Sequence, residues 1–207
     1  MPIIYQDESD SHQLLVWKIT ESLDFFAKEL QLNKQEKEEL GNITYASRIL
    51  EWTAARYVQR RLCPNGLKKD HWGKPHLLDD NGFISIAHCK GYAAAVYSVS
   101  QSVGIDIEPI NDKVQRIAPK FLNEKELNDI GHEGTSEYFI MYWSIKEAVY
   151  KWYGKKQLSF KNNINIINFN REEKIAGVLF TKDTVKHLHQ VKCKKIDNII
   201  LAHTTEF

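Results

Sequence analysis

Val103-Gly104-Ile105-Asp106-Ile107-Glu108-Pro109 is the stretch on which the reading of this chain turns. Apolar and carboxylate side chains alternate with period two. This predicts a strand with Val103, Ile105 and Ile107 on one face and Asp106 and Glu108 on the other. Carboxylates two positions apart lie roughly 7 Å apart along the backbone, within common reach of one cation. Pro109 removes a ladder donor and ends the strand. Further on, Trp143, Glu147 and Lys151 recur every fourth residue. On a helix they form one stripe carrying an apolar anchor, a carboxylate and an ammonium. A third carboxylate brought to the first two makes an all-oxygen set suited to Mg²⁺ and the phosphates it accompanies.

Working outward, His12 to Ile19 predicts a strand entering a Thr20/Ser22-capped helix with Leu23, Phe25, Phe26 and Leu30. Lys34 to Leu40 reads as a charged, solvated turn or helix. A long helix from Tyr45 to Leu62 stops at Cys63-Pro64-Asn65-Gly66. A polar loop with Gly73-Lys74-Pro75 follows, then the turn Asp79-Asp80-Asn81-Gly82 and strands at Phe83–Ala87 and Tyr92–Val99. Asn123-Glu124-Lys125-Glu126 is a capping box, and an aromatic helix from Glu137 to Tyr153 ends at Gly154. Short strands near Ile164–Asn168, Gly177–Thr181 and Ile199–His203 are separated by basic loops.

The 207 residues, 43% of them hydrophobic, suffice for one domain or two small ones. Lys+Arg 28 against Asp+Glu 27 leaves a net charge of +1, so no global field favours nucleic acid or an anionic membrane. Cys63, Cys89 and Cys193 form no paired framework, which points to a reducing compartment. With no spanning apolar run and no signal-peptide pattern, the expectation is a cytoplasmic protein.

A weak internal repeat lays Glu51-Trp52-Thr53-Ala54-Ala55-Arg56-Tyr57 on Tyr142-Trp143-Ser144-Ile145-Lys146-Glu147-Ala148. Duplication would give two α+β halves meeting at a cleft, 1–102 and 103–207; chance likeness of two amphipathic helices is the competing account.

Gly73-Lys74-Pro75, Ile84-Ser85-Ile86-Ala87-His88, Gly104-Ile105-Asp106-Ile107-Glu108 and Trp143 with Lys146-Glu147-Ala148 and Lys151 occur in one order. In this the chain resembles the two-half, or Sfp-type, 4′-phosphopantetheinyl transferases. The resemblance implies a pseudo-twofold α+β fold with its active site between the halves. It implies transfer of phosphopantetheine from coenzyme A to a serine of an apo acyl or peptidyl carrier protein, releasing adenosine 3′,5′-bisphosphate. Ala87 stands where the family commonly has serine, and Cys89 where serine is frequent. Loss of one neutral hydrogen bond to a phosphate would weaken coenzyme A binding by about 1 kcal/mol.

The resemblance implies Mg²⁺ on Asp106, Glu108 and Glu147, with Glu147 as general base. Lys151 would stabilise the transferred phosphoryl group, and Lys146 would assist. His88 is implied near the nucleotide 3′-phosphate, and Lys74 is a natural phosphate contact. Arg48 and Arg56 share a helix face and would clamp the 3′-phosphate or adenine; for both, the competing role is a helix-surface ion pair with Glu51. Trp143 is expected to pack beneath the site, and Trp52 and Trp152 in the core. His187-x-His189 on its basic stretch reads as a solvated strand or loop. For an acidic carrier protein, Lys113, Arg116, Lys120 and Lys125 around Phe121-Leu122 are the docking candidates, against a plain packing role for that apolar pair.

The duplicated chain is expected to be a monomer. The alternative functions are a non-catalytic coenzyme A or carrier-protein binding module of the same fold, and a Mg²⁺-dependent phosphodiesterase.

Overall fold

Two long helices, each terminated by the residue the sequence marks, organise the computed structural model, which describes residues 2–131 and 134–205. The chain forms two units, Met1–Val103 and Gly104–Phe207.

The first unit contains β1 (Ile3–Glu8), β2 (Gln13–Lys18), α1 (Leu23–Glu29), α2 (Lys34–Gly41) and α3 (Ala46–Leu62). After these come β3 (Leu67–Lys69), β4 (Pro75–Leu77), β5 (Phe83–Cys89) and β6 (Tyr92–Ser98). The main sheet has the antiparallel order β1-β2-β6-β5, and α3 lies across β6, β5 and β2. Ala54, Ala55 and Val58 of α3 meet Leu15, Trp17, Ile84 and Ala93 in the core. Small residues on both surfaces let helix and sheet approach closely.

The second unit contains β7 (Ile105–Pro109), α4 (Lys113–Phe121), α5 (Glu124–Ile130), α6 (Ser136–Tyr153) and α7 (Phe160–Asn163). It is completed by β8 (Ile164–Asn170), β9 (Ile175–Lys182), β10 (Val185–Ile196) and β11 (Ile199–Thr205). Its sheet order is β7-β11-β10-β9-β8, with α6 packed on β11, β7 and β10. Met141, Ile145, Ala148 and Val149 recur at helical spacing and are all buried. Gly154 ends α6 in the left-handed region at φ 73°, donating its N–H to Tyr150.

Both units share a connection order. An early strand leads through helices to a long helix, and a closing hairpin returns its last strand to pair with the early one: β2 with β6, β7 with β11. No helix among the described residues is long and apolar enough to cross a membrane. No disulfide joins the cysteines, and all three are buried.

Several elements differ from expectation. β10 is a twelve-residue strand in the middle of its sheet, not a basic loop. Lys186, Lys192 and Lys194 sit on one face toward solvent while Val191 and Cys193 between them are buried; Lys195, near the strand end, is exposed as well. His189 is likewise buried and packs 4.1 Å from the Trp152 ring, and burial pushes it down to about 3. β1, the β3–β4 pair and α4 were not anticipated. α2 is not simply solvated: Glu36, from its Asn33 capping box, is buried against Arg60. Phe121 and Leu122 are core residues, which leaves Lys113, Arg116 and Lys120 of α4 exposed together with Gln115, Ile117 and Pro119.

Candidate active site

β7 and α6 together place the acidic groups. Within its sheet β7 pairs only with β11, and Asp106 lies opposite Ala202 and Glu108 opposite Ile200. Ala202 and Ile200 belong to the core that α6 covers, whereas Ile105 and Ile107 do not. The period-two pattern therefore turns both carboxylates of β7 toward α6. The strand and helix stripe run in opposite senses. Trp143 Nε1 donates to Glu108 Oε1 at 3.4 Å, and Lys151 Nζ donates to Asp106 Oδ1 at 2.8 Å. Glu147, midway along the stripe, is left between them.

Gly104 permits this approach. A Cβ built there would sit 1.9 Å from the Ala148 carbonyl oxygen and 2.8 Å from the Trp152 nitrogen. The backbone of α6 occupies the space a side chain would need. Two hydrogen bonds with Thr204 hold the glycine in place, at 2.9 and 3.0 Å.

The electrostatics are those of three acids sharing one cation. Burial, then the Asp106 charge, with a smaller push from Glu108, raises Glu147 to about 7 against the pull of Lys151. For Lys151, burial works against the charge, but Asp106, Glu147 and Glu108 outweigh it and hold the ammonium above the ordinary lysine value. Asp106 is 3% exposed, and its Oδ2 is sealed without a hydrogen-bond partner. The trio is drawn together but not closed. It is not among the groups of described residues whose ligand atoms all fall within 4.8 Å of one another, as expected of like charges around a lysine.

Lys146 departs from the expected role. It is wholly buried, paired with Glu126 at 2.7 Å, and it donates to the carbonyls of Phe160 and Ile164. No part of it is presented to a substrate. Trp143 packs edge-on to Phe121 at 4.9 Å, which is the supporting position expected.

In the first unit, Arg48 and His88 are brought together through Glu51, which the sequence reading offered as a rival ion-pair partner and not as a site residue. Glu51 Oε2 accepts from Arg48 at 2.9 Å and lies 3.4 Å from His88 Nδ1. Arg56 is a correction. Its side chain is 6% exposed, set between Glu36 and Glu39, with the guanidinium over Trp52 at 4.5 Å. At Arg56 that helix face is closed by Glu36 and Glu39 of α2, so Arg56 ties helices rather than facing a ligand, while Arg48 on the same face stays exposed. Trp52 is a core residue, as expected.

Lys74 follows the β3–β4 turn, where Asp70 Oδ1 accepts the backbone N–H groups of Trp72 and Lys74. Its ammonium donates to Ser102 at 2.9 Å. Burial lowers it to about 8, and Asp70 opposes that fall. Asp70 and Glu126 were missed because each acts on a residue far away in sequence or on backbone groups. The only visible hint was the capping box containing Glu126.

Residues 102–202 match the family model described as the 4′-phosphopantetheinyl transferase superfamily. No curated protein matches the chain at a significant level. This part of the chain is a domain of the 4′-phosphopantetheinyl transferase superfamily, a family of transferases.

Proposed function

We propose that the protein transfers 4′-phosphopantetheine from coenzyme A to a serine hydroxyl of an apo acyl or peptidyl carrier protein, with release of adenosine 3′,5′-bisphosphate. The observation that carries this reading is the Asp106, Glu108, Glu147 and Lys151 set within the matched domain. The common connection order of the two units supports the two-half, Sfp-type form, built from two copies of one α+β pattern.

The donor set fits a divalent cation. Asp106 Oδ2 is buried without a hydrogen-bond partner, and Asp106 and Glu108 both push the buried Glu147 carboxyl up despite Lys151. Asp106, Glu108 and Glu147 would hold the ion, and their oxygen chemistry favours Mg²⁺. When bound, it would supply neutralisation of the coenzyme A pyrophosphate charge.

The remaining work falls to side chains. Glu147, beside Lys151 and the β7 carboxylates, is placed to accept the proton of the attacking serine. Lys151 donates toward the developing charge on the transferred phosphoryl oxygens. Asp106 orients that ammonium through their 2.8 Å contact. Lys74, His88 and Arg48 would bind the nucleotide phosphates, with Glu51 fixing the last two. The exposed Lys113, Arg116 and Lys120 of α4 suit an acidic carrier surface. A monomer in the cytoplasm, binding neither nucleic acid nor membrane, completes the reading.

The test is to incubate the protein with coenzyme A, Mg²⁺ and a panel of apo fatty-acid, polyketide and peptide-synthetase carriers, then weigh each carrier. The expected outcome is a gain of one phosphopantetheine on at least one carrier, stopped by a chelator that leaves the circular dichroism spectrum unchanged. No gain on any carrier, despite measurable coenzyme A binding, would replace this reading with that of a binding module.

A further inference from the structure

The most enclosed charged pair in the second unit is Lys146 with Glu126, both 0% exposed at the side chain and 2.7 Å apart. Each member is fully engaged. Lys146 Nζ also donates to the Phe160 carbonyl at 2.9 Å and the Ile164 carbonyl at 2.7 Å. Glu126 Oε2 accepts the Asn123 N–H at the start of α5, and Oε1 accepts the Ile166 N–H of β8. One ion pair thus joins α6 to α5, α7 and β8. Such a pair adds little net stability over apolar packing, but breaking it is costly, so its effect is to select one arrangement.

The arrangement selected is the rotation of α6. Lys146 and Glu147 are adjacent, and their side chains leave the helix about 100° apart. Pinning the Lys146 side chain toward α5 and β8 therefore points the Trp143–Glu147–Lys151 stripe at β7. We infer that Lys146 is a positioning residue: through Glu126 it fixes the angle of α6 about its own axis and so aims Glu147 and Lys151, without touching coenzyme A. Its catalytic consequence rests on the transferase reading; its structural consequence does not.

Two readouts separate these. The Trp143 indole, which reaches Glu108, reports the angle of α6 and is read as its ¹⁵N–¹H resonance, assigned with Trp143→Phe. Coenzyme A affinity is read by calorimetry. The variants are Glu126→Gln, Lys146→Met and Glu126→Asp, the last keeping the charge one methylene short should the others fail to fold. In every folded variant the Trp143 resonance is expected to move while those of Trp17 and Trp52 stay. Turnover should fall on the order of 100-fold from misplacement of the catalytic groups. Any change in coenzyme A affinity should be the same, within about twofold, in the Lys146 and Glu126 variants, as for a residue that acts through the pair and not on substrate.

An unmoved Trp143 resonance in a folded Glu126 variant overturns the inference. So does a tenfold or greater loss of coenzyme A affinity in Lys146→Met with normal binding in the Glu126 variants, since that returns Lys146 to the substrate. If the parent transfers nothing, the resonance still decides the inference and only the transferase reading falls.

Discussion

Glu147→Gln is expected to abolish phosphopantetheine transfer, by on the order of 10³-fold, while making the metal-free protein more stable above neutral pH. The first effect follows because glutamine can neither accept the serine proton nor complete the carboxylate set. The second follows from linkage. Glu147 has an ordinary value of 4.5 and is raised to about 7 in the folded chain. Below pH 4.5 it is protonated in both states and costs nothing. Between 4.5 and about 7 the unfolded chain releases the proton that the folded chain keeps, so parent stability falls as pH rises through that window.

Above the window the parent carries a constant penalty on the order of 2 kcal/mol, after discount for the partial exposure of the group. Glutamine does not carry it. Thermal melts at pH 4 and pH 8 should therefore coincide at the first and favour the variant by several degrees at the second. Added Mg²⁺ should raise the parent melt and leave the variant nearly unmoved. A variant with near-normal turnover would remove Glu147 from the mechanism. A stability difference independent of pH would mean its carboxyl is not raised by burial and by Asp106 and Glu108.

Gly104→Ala should be the most damaging single methyl group in the second unit. Its Cβ would meet the Ala148 carbonyl oxygen at 1.9 Å and the Trp152 nitrogen at 2.8 Å, and both are backbone atoms of α6 that cannot rotate away. Either the helix or β7 must shift. The expected cost is about 3 kcal/mol of stability, the upper end for overpacking. Turnover should fall on the order of 100-fold or more, because α6 carries Glu147 and Lys151 and an ångström of misplacement suffices. Gly41→Ala is the control, since nothing lies within 4 Å of the methyl it would add. Urea denaturation of both variants checks the stability term. A Gly104→Ala protein as stable as the Gly41 control would show that α6 is not seated against β7 through that glycine.

How much was legible in advance follows the range of each interaction. The strand at Asp106, the capping box at Asn123 and the stop at Gly154 were readable because each depends on neighbours a few residues away. β10 was hidden because an edge-like run of lysines and histidines sits in the middle of a sheet, where pairing with β9 and β11 overrides its composition. The four-residue spacing of Trp143, Glu147 and Lys151 likewise put them on one helix face, and strand alternation put Asp106 beside Glu108.

Local periodicity thus determined which residues share a face, since that depends only on the rise and turn of helix and strand. Which face meets which partner was decided by packing between elements distant in the chain. Lys146 and Arg56 lie in helices read correctly, yet both face neighbours rather than a ligand, because Glu126 in one unit and Glu36 with Glu39 in the other lie where only the folded chain brings them. A buried cation must find its counter-charge wherever the fold supplies it, and no spacing along one helix encodes that address.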